Sequence, residues 1–248
     1  VVKHFKTPVI FHKVIKTVGI GESYLSDLIQ DWELSLPSHI KLAYLPSLGI
    51  VKLRLTAFGE DVNALSSDVE KELARVMPLI SSYVFGYEKE ELAEVVGQLL
   101  RTQQASLGLA ESCTGGHLAH QFTQISGSSD YFKGGIVSYA NEIKMGQLGV
   151  AASILSEFGA VSEPCIRAMA EGARKELGST YSLATSGIAG PMGGTDDKPV
   201  GTVWIALAHP EGVITRKLQL AGTRMQNIHM TSLASINLLR RFLLHDLN

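Results

Sequence analysis

Between Ile50 and Phe58, apolar Val51, Leu53 and Leu55 alternate with polar Lys52 and Arg54. That two-residue period belongs to a strand with one wet face. Upstream, an apolar run predicts a strand over Val9 to Val18, broken by Gly19-Ile20-Gly21. Tyr24, Leu25, Leu28 and Ile29 then fall at helical spacing within Ser23 to Trp32. Lys41 to Tyr44 and Ile50 to Phe58 flank the turn residues Pro46-Ser47-Leu48-Gly49, as in a hairpin. A second helix is expected over Asp61 to Ile80, ending near Pro78, followed by a short strand over Tyr83 to Tyr87. Residues 1–87 therefore read as a small α+β domain, and the charged run Glu88-Lys89-Glu90-Glu91 marks its boundary.

Past that boundary the pattern becomes strand-helix alternation. Leu92, Val95, Val96, Leu99 and Leu100 form a helical stripe. Leu107 to Ala110 reads as a strand, Gly116 to Ile125 as a helix, and Gly135 to Ala140 as a strand leading into a short helix through Lys144. Ser162-Glu163-Pro164 opens another helix, with a capping serine and a proline where its missing N–H does no harm, and Gly178 stops it. Strands follow over Tyr181 to Thr185, Thr202 to Ala208 and Gly212 to Leu220, the last two joined at His209-Pro210-Glu211-Gly212 as a hairpin. A final helix runs from about Arg224 to Leu247. Residues 88–248 are thus expected to form a three-layer α/β/α domain with a mixed sheet, giving an α/β chain overall.

Composition narrows the chemistry. Of 248 residues, 45% are apolar and 19% charged, enough for a sizeable core and too apolar for disorder. A net charge of -2 leaves no electrostatic footprint for nucleic acid or an anionic membrane. No uninterrupted apolar run approaches the roughly 20 residues that span a bilayer. Two cysteines, Cys113 and Cys165, make no disulfide framework and suit a reducing cytoplasm. The chain opens at Val1 with no signal peptide, and a fragment of a longer protein is expected. The eight histidines are scattered. His117 and His120 stand three apart without a third ligand, so no metal or other cofactor is expected.

Three segments could carry chemistry. Ala110-Glu111-Ser112-Cys113-Thr114-Gly115-Gly116 places a serine on a glycine-rich strand-to-helix turn, where free N–H groups could hold an oxyanion. Ser112 or Thr114 could equally be a helix cap. Cys113 is a rival nucleophile, although small buried cysteines are more often packing residues. Ser138-Tyr139-Ala140-Asn141-Glu142-Ile143-Lys144 puts a lysine just after a central strand. If buried, its amine could lose its charge and take the Ser112 proton, with Tyr139 as relay; if exposed, it is a surface lysine. Thr185-Ser186-Gly187-Ile188-Ala189-Gly190-Pro191 supplies small residues at a strand end, able to wrap a substrate or simply to form a long loop. Neither the P-loop nor the dinucleotide fingerprint is present. Arg224, at the start of the last helix, could meet a phosphate or lie free on the surface.

Taken together, these motifs and Lys198-Pro199-Val200-Gly201-Thr202-Val203-Trp204 resemble the C-terminal domain of the CinA (competence/damage-inducible) family over about residues 89–248. Residues 1–87 look like that family's KH-type domain. The resemblance implies a cytoplasmic bacterial amidase converting nicotinamide mononucleotide to nicotinate mononucleotide and ammonia. It places the catalytic roles on Ser112, Tyr139 and Lys144. Substrate contacts would come from Thr114, Gly115, Gly116, Asn141, Ser186, Gly187 and Arg224. Where the family carries a further arginine after Arg224, this chain has Ile228 and His229. The KH-like part holds nine Lys/Arg against nine Asp/Glu and no Gly-x-x-Gly clamp, which argues against RNA binding. A homo-oligomer is expected. A silent nucleotide-binding module or a nucleic-acid adaptor are the competing classes.

Overall fold

The computed structural model describes residues 8 to 246. The chain divides into two compact units after Glu91. In the first, strands β1 (Val9–Val18), β2 (Ile40–Ser47), β3 (Ile50–Gly59) and β4 (Val84–Tyr87) form an antiparallel sheet in the order β2-β3-β1-β4. Helices α1 (Glu22–Leu34) and α2 (Val62–Ile80) pack their apolar stripes on it, Leu25, Ile29 and Trp32 with Leu65, Val69, Leu73 and Val76. The Asp61 carboxylate caps α2 by accepting from the Asn63 and Ala64 amides. Pro78 does not end α2, which runs on to Ile80. So close to the C-terminus, the missing proline N–H removes a single intrahelical bond.

The second unit carries the α/β pattern. It comprises α3 (Leu92–Thr102), β5 (Leu107–Glu111), α4 (His117–Thr123), β6 (Phe132–Val137), α5 (Asn141–Leu148), α6 (Ala152–Glu157), α7 (Glu163–Glu176), β7 (Tyr181–Gly187), β8 (Thr202–His209), β9 (Gly212–Gln219) and α8 (Arg224–Leu243). Its sheet has the order β6-β5-β7-β8-β9, parallel across β6, β5 and β7 and antiparallel beyond. Helix α7 packs on β5, β7 and β8 and against α5 and α6, whereas α8 packs on β7 and β8 and against α3 and α4. The sheet is therefore mixed and lies between two helical layers. All five residues of β5 are buried, as a strand covered on both faces requires.

Alanines decide how closely α7 approaches. Ala170 and Ala173 meet Ala110, Ala184, Ala206 and Ala208 in one core with Ile166 and Met169. Such small side chains bring helix and sheet backbones close together, with larger neighbours filling the rest. Ser162 caps α7 by accepting from the Cys165 amide, and left-handed Gly178 follows its end.

Several elements differ from the sequence reading, and four of them bear on the site or the helical layers. Strand β6 lies at the edge of the sheet rather than at its centre, and it ends at Val137, so Tyr139 lies beyond the strand rather than on it. The short helix α6 is additional, and β7 extends to include Ser186 and Gly187. Helix α8 stops at Leu243, and Leu247 lies outside the described residues.

Candidate active site

The parallel strands β6, β5 and β7 all end on one edge of the sheet, and the three singled-out segments emerge there. Ser112 follows β5 directly, and its amide donates to Thr185 O on β7 at 2.9 Å. On the other side, the Ser138 amide donates to Glu111 O at 2.8 Å, which carries the register past the end of β6. Helix α5 then starts at Asn141 and turns Lys144 back over the edge.

Lys144 is 1% exposed. Its Nζ donates to Ser112 Oγ at 3.2 Å, to Ser138 O at 2.7 Å and to Tyr139 O at 3.1 Å. All three partners are neutral oxygens. Burial lowers the Lys144 pKa below the ordinary 10.5, partly opposed by the nearby thiols and Glu142. The same geometry serves a neutral amine. Two N–H groups can stay on the carbonyls while the lone pair faces the Ser112 hydroxyl.

Cys113, the neighbouring alternative, is buried, and desolvation pushes its thiol up to about 12. It has almost no thiolate at neutral pH, so it is a poor nucleophile.

The turn itself departs from expectation. Neither Ser112 nor Thr114 caps α4. Instead the buried Glu111 carboxylate accepts from the amides of Gly116 (3.0 Å), Leu118 (3.0 Å) and Ala119 (2.8 Å). The positive end of α4 is therefore already occupied, which removes its first N–H groups as substrate donors. Gly116 makes the bend with φ at +99°, a conformation that residues with a Cβ avoid. Thr114 is buried, with its Oγ1 2.7 Å from Thr185 Oγ1, and the Gly115 amide donates to Ser112 O. The Thr114 amide meets no acceptor among the described residues, whereas the Cys113 amide lies against its own thiol.

A cavity of about 220 Å³ opens beside Ser112. It is lined by Ser112, Cys113, Tyr139, Asn141 and Lys144, by Ser186, Gly187 and Ala189, by Ala160 and Val161, and by Arg224. Thr114, Gly115 and Gly116 do not line it. The Tyr139 phenol oxygen accepts from Arg224 at 3.0 Å, and the same guanidinium donates to Gly190 O at 2.8 Å. Tyr139 thus reaches Lys144 through its backbone carbonyl, and the direct Lys144–Ser112 contact needs no phenol relay. The Ser186 hydroxyl donates to Ala160 O at 2.8 Å. Gly187 permits close strand contact, since a Cβ there would sit 2.6 Å from Val203 Cγ2.

Two positioning residues escaped the sequence reading. Glu111 sat inside a recognised motif, but its role appears only once α4 folds over it. Asn227, buried on α8, donates to Ala189 O and Gly222 O and accepts from the Gly222 amide. A polar residue on the helix's apolar side was its one signal. With the Thr223–Gln226 capping box, Asn227 fixes the start of α8 and so the origin of Arg224.

Among the described residues no group of three or more His, Cys, Asp or Glu is placed to hold a metal ion. His117 instead bonds Ser232 at 2.8 Å and meets the His229 ring edge-on, and burial holds its pKa down. No helix of the described residues is long and apolar enough to cross a membrane.

Residues 89–243 match the model of the CinA C-terminal domain, and residues 12–86 match that of the damage-inducible protein CinA KH domain. A CinA-like protein of Cytophaga hutchinsonii is 50% identical over 96% of the chain, and one of Amoebophilus asiaticus 45% identical over 96%. The chain spans 57% of the length of each. Among solved structures, a CinA superfamily protein of Klebsiella pneumoniae aligns with a TM-score of 0.60 and 31% identity. The alignment covers 63% of this chain and 99% of that one. The competence/damage-inducible protein of Agrobacterium tumefaciens aligns at 0.59 and 34%, over 60% of this chain and 92% of that one.

Proposed function

Because the chain belongs to the CinA family, we propose that its second unit is a nicotinamide-nucleotide amidase, hydrolysing nicotinamide mononucleotide to nicotinate mononucleotide and ammonia. The observation that carries this reading is the Lys144 amine, buried and 3.2 Å from the Ser112 hydroxyl. An unactivated primary amide needs a strengthened nucleophile, a site for the oxyanion and an acid for the departing nitrogen.

Neutral Lys144 takes the Ser112 proton as Oγ attacks the carboxamide carbon. The Cys113 amide, next to Ser112 in a residue that lines the cavity, is the donor assigned to the developing oxyanion. As the C–N bond breaks, Lys144 returns the proton to nitrogen and ammonia leaves an ester on Ser112. Water, deprotonated by the same amine, attacks that ester and releases the carboxylate. Arg224, joined to the exposed Tyr139 phenol, provides a cation for the phosphate, and Asn141 adds a polar group to the same cavity. Ser186 and Gly187 shape its wall. A cytoplasmic setting and a homo-oligomeric assembly belong to the same proposal.

The test is ammonia release from nicotinamide mononucleotide. Ser112→Ala abolishes turnover, Lys144→Ala lowers kcat by about 10²–10⁴-fold, and Cys113→Ala stays near wild type. Activity in Ser112→Ala with a dead Cys113→Ala would move the nucleophile by one residue. No ammonia from the wild type would return the chain to a silent nucleotide-binding module.

A further inference from the structure

One wall of the cavity has no part in the chemistry above. Residues 158–161 join α6 to α7, and Ala160 and Val161 face the cavity. This segment is pinned at three successive carbonyls. Lys198 Nζ donates to Phe158 O at 2.7 Å, Ser162 Oγ to Gly159 O at 2.7 Å, and Ser186 Oγ to Ala160 O at 2.8 Å. The donors come from the loop before β8, the cap of α7 and strand β7. Ala160 and Val161 line the cavity together with Ala189, so small apolar residues make up this side of it.

A rigid apolar wall suits the face of a flat ring. Ribose hydroxyls and a phosphate need donors and acceptors, which the cavity supplies elsewhere at Arg224, Asn141 and the Tyr139 hydroxyl. The apolar pair and the cation reach the cavity from opposite sides of the sheet. Ala160 and Val161 come from the layer of α6 and α7, Arg224 comes from α8 in the other layer, and Ser112 stands between them at the end of β5.

We propose that the Ala160–Val161 wall receives the aromatic ring of a carboxamide substrate, with the charged remainder directed to Arg224. Val161 then sets how large a ring can bring its amide to Ser112. This orientation rests on the amidase reading, and the experiment separates the two. Steady-state ammonia release is measured for Val161→Phe, Ala160→Val and Val161→Ala in the full chain. Substrates are nicotinamide mononucleotide and its benzo-fused quinoline carboxamide analogue. Val161→Phe raises KM for the mononucleotide at least tenfold while kcat falls less than threefold, and Ala160→Val does the same to a smaller degree. Val161→Ala improves kcat/KM for the fused analogue, relative to the mononucleotide, at least fivefold. This gain keeps the test open even if the phenylalanine variant fails to fold. Unchanged KM in both enlarged variants, or no gain with the fused ring, overturns the wall. Loss of kcat in step with the rise in KM overturns it too, because the loop would then act on the nucleophile. A wild type that releases no ammonia sinks the amidase reading itself.

Discussion

Lys144 combines near-complete burial with three hydrogen bonds to neutral oxygens, and burial lowers its pKa. A base must be neutral to act, so kcat/KM rises with pH as the amine loses its proton, with a midpoint below the ordinary lysine value of 10.5. An ascending limb centred at or above that value would count against the assignment. The same shift has a consequence for folding. With the folded-state pKa below 10.5, the unfolded chain binds more protons throughout the window between the two values. Stability therefore increases with pH across that window and loses that gain as pH falls through the folded-state value. Lys144→Met removes this contribution, so urea midpoints of wild type and variant converge as pH approaches 10.5. Residue types and spacing raised Ser112 and Lys144 only as candidates beside plainer readings, the family resemblance singled them out, and the structure brings the two side chains within 3.2 Å. The Tyr139 phenol was not legible in the same way, because which of its atoms faces Lys144 depends on where β6 stops. Glu111 and Asn227 were hidden for a related reason: their partners are backbone groups of α4, Gly222 and Ala189 that sequence alone does not bring near.

At the scale of elements, the turn between β5 and α4 depends on one carboxylate. Glu111 holds three amides of the turn and first helical residues, so it fixes the path of the chain around Ser112. Glutamine keeps the shape but offers one acceptor oxygen and turns an NH₂ group toward N–H donors. Glu111→Gln is expected to cost about 1–3 kcal/mol of stability, the range for removing charged hydrogen bonds from a buried site. It should also lower kcat more than it changes KM. Urea denaturation and steady-state kinetics check the two effects, and a variant as stable and active as wild type would show that the turn holds without the charge. Strong periodicity made most elements readable. The β2–β3 and β8–β9 hairpins, the stripe of α7 and the buried run of β5 all follow from it. Weak signals account for the rest: the glycine pair in β6 blurs its alternation, α6 is too short to show a period, and the β7 end reads as loop because it is built from Ser186 and Gly187.

For the whole molecule, the division after Glu91 separates the chemistry from the rest of the chain. Every residue lining the cavity lies between Ser112 and Arg224, within the second unit. Each unit also has its own buried core, Ile15 to Ile80 in the first and Ala110 to Ala208 in the second. The Klebsiella pneumoniae relative is covered over 99% of its length by 63% of this chain, so a protein of about the second unit's size is itself a folded structure. Residues 92–248 produced alone are therefore expected to unfold cooperatively and to release ammonia from nicotinamide mononucleotide with kcat/KM within about threefold of the longer chain, since no lining residue is removed. Thermal denaturation by circular dichroism and the ammonia assay read the two halves of that statement. A cooperative fold with more than tenfold loss of activity would mean that the first unit contributes to the chemistry, although none of its described residues lines the cavity. Loss of cooperative unfolding would instead show that the α/β core depends on the first unit for its stability.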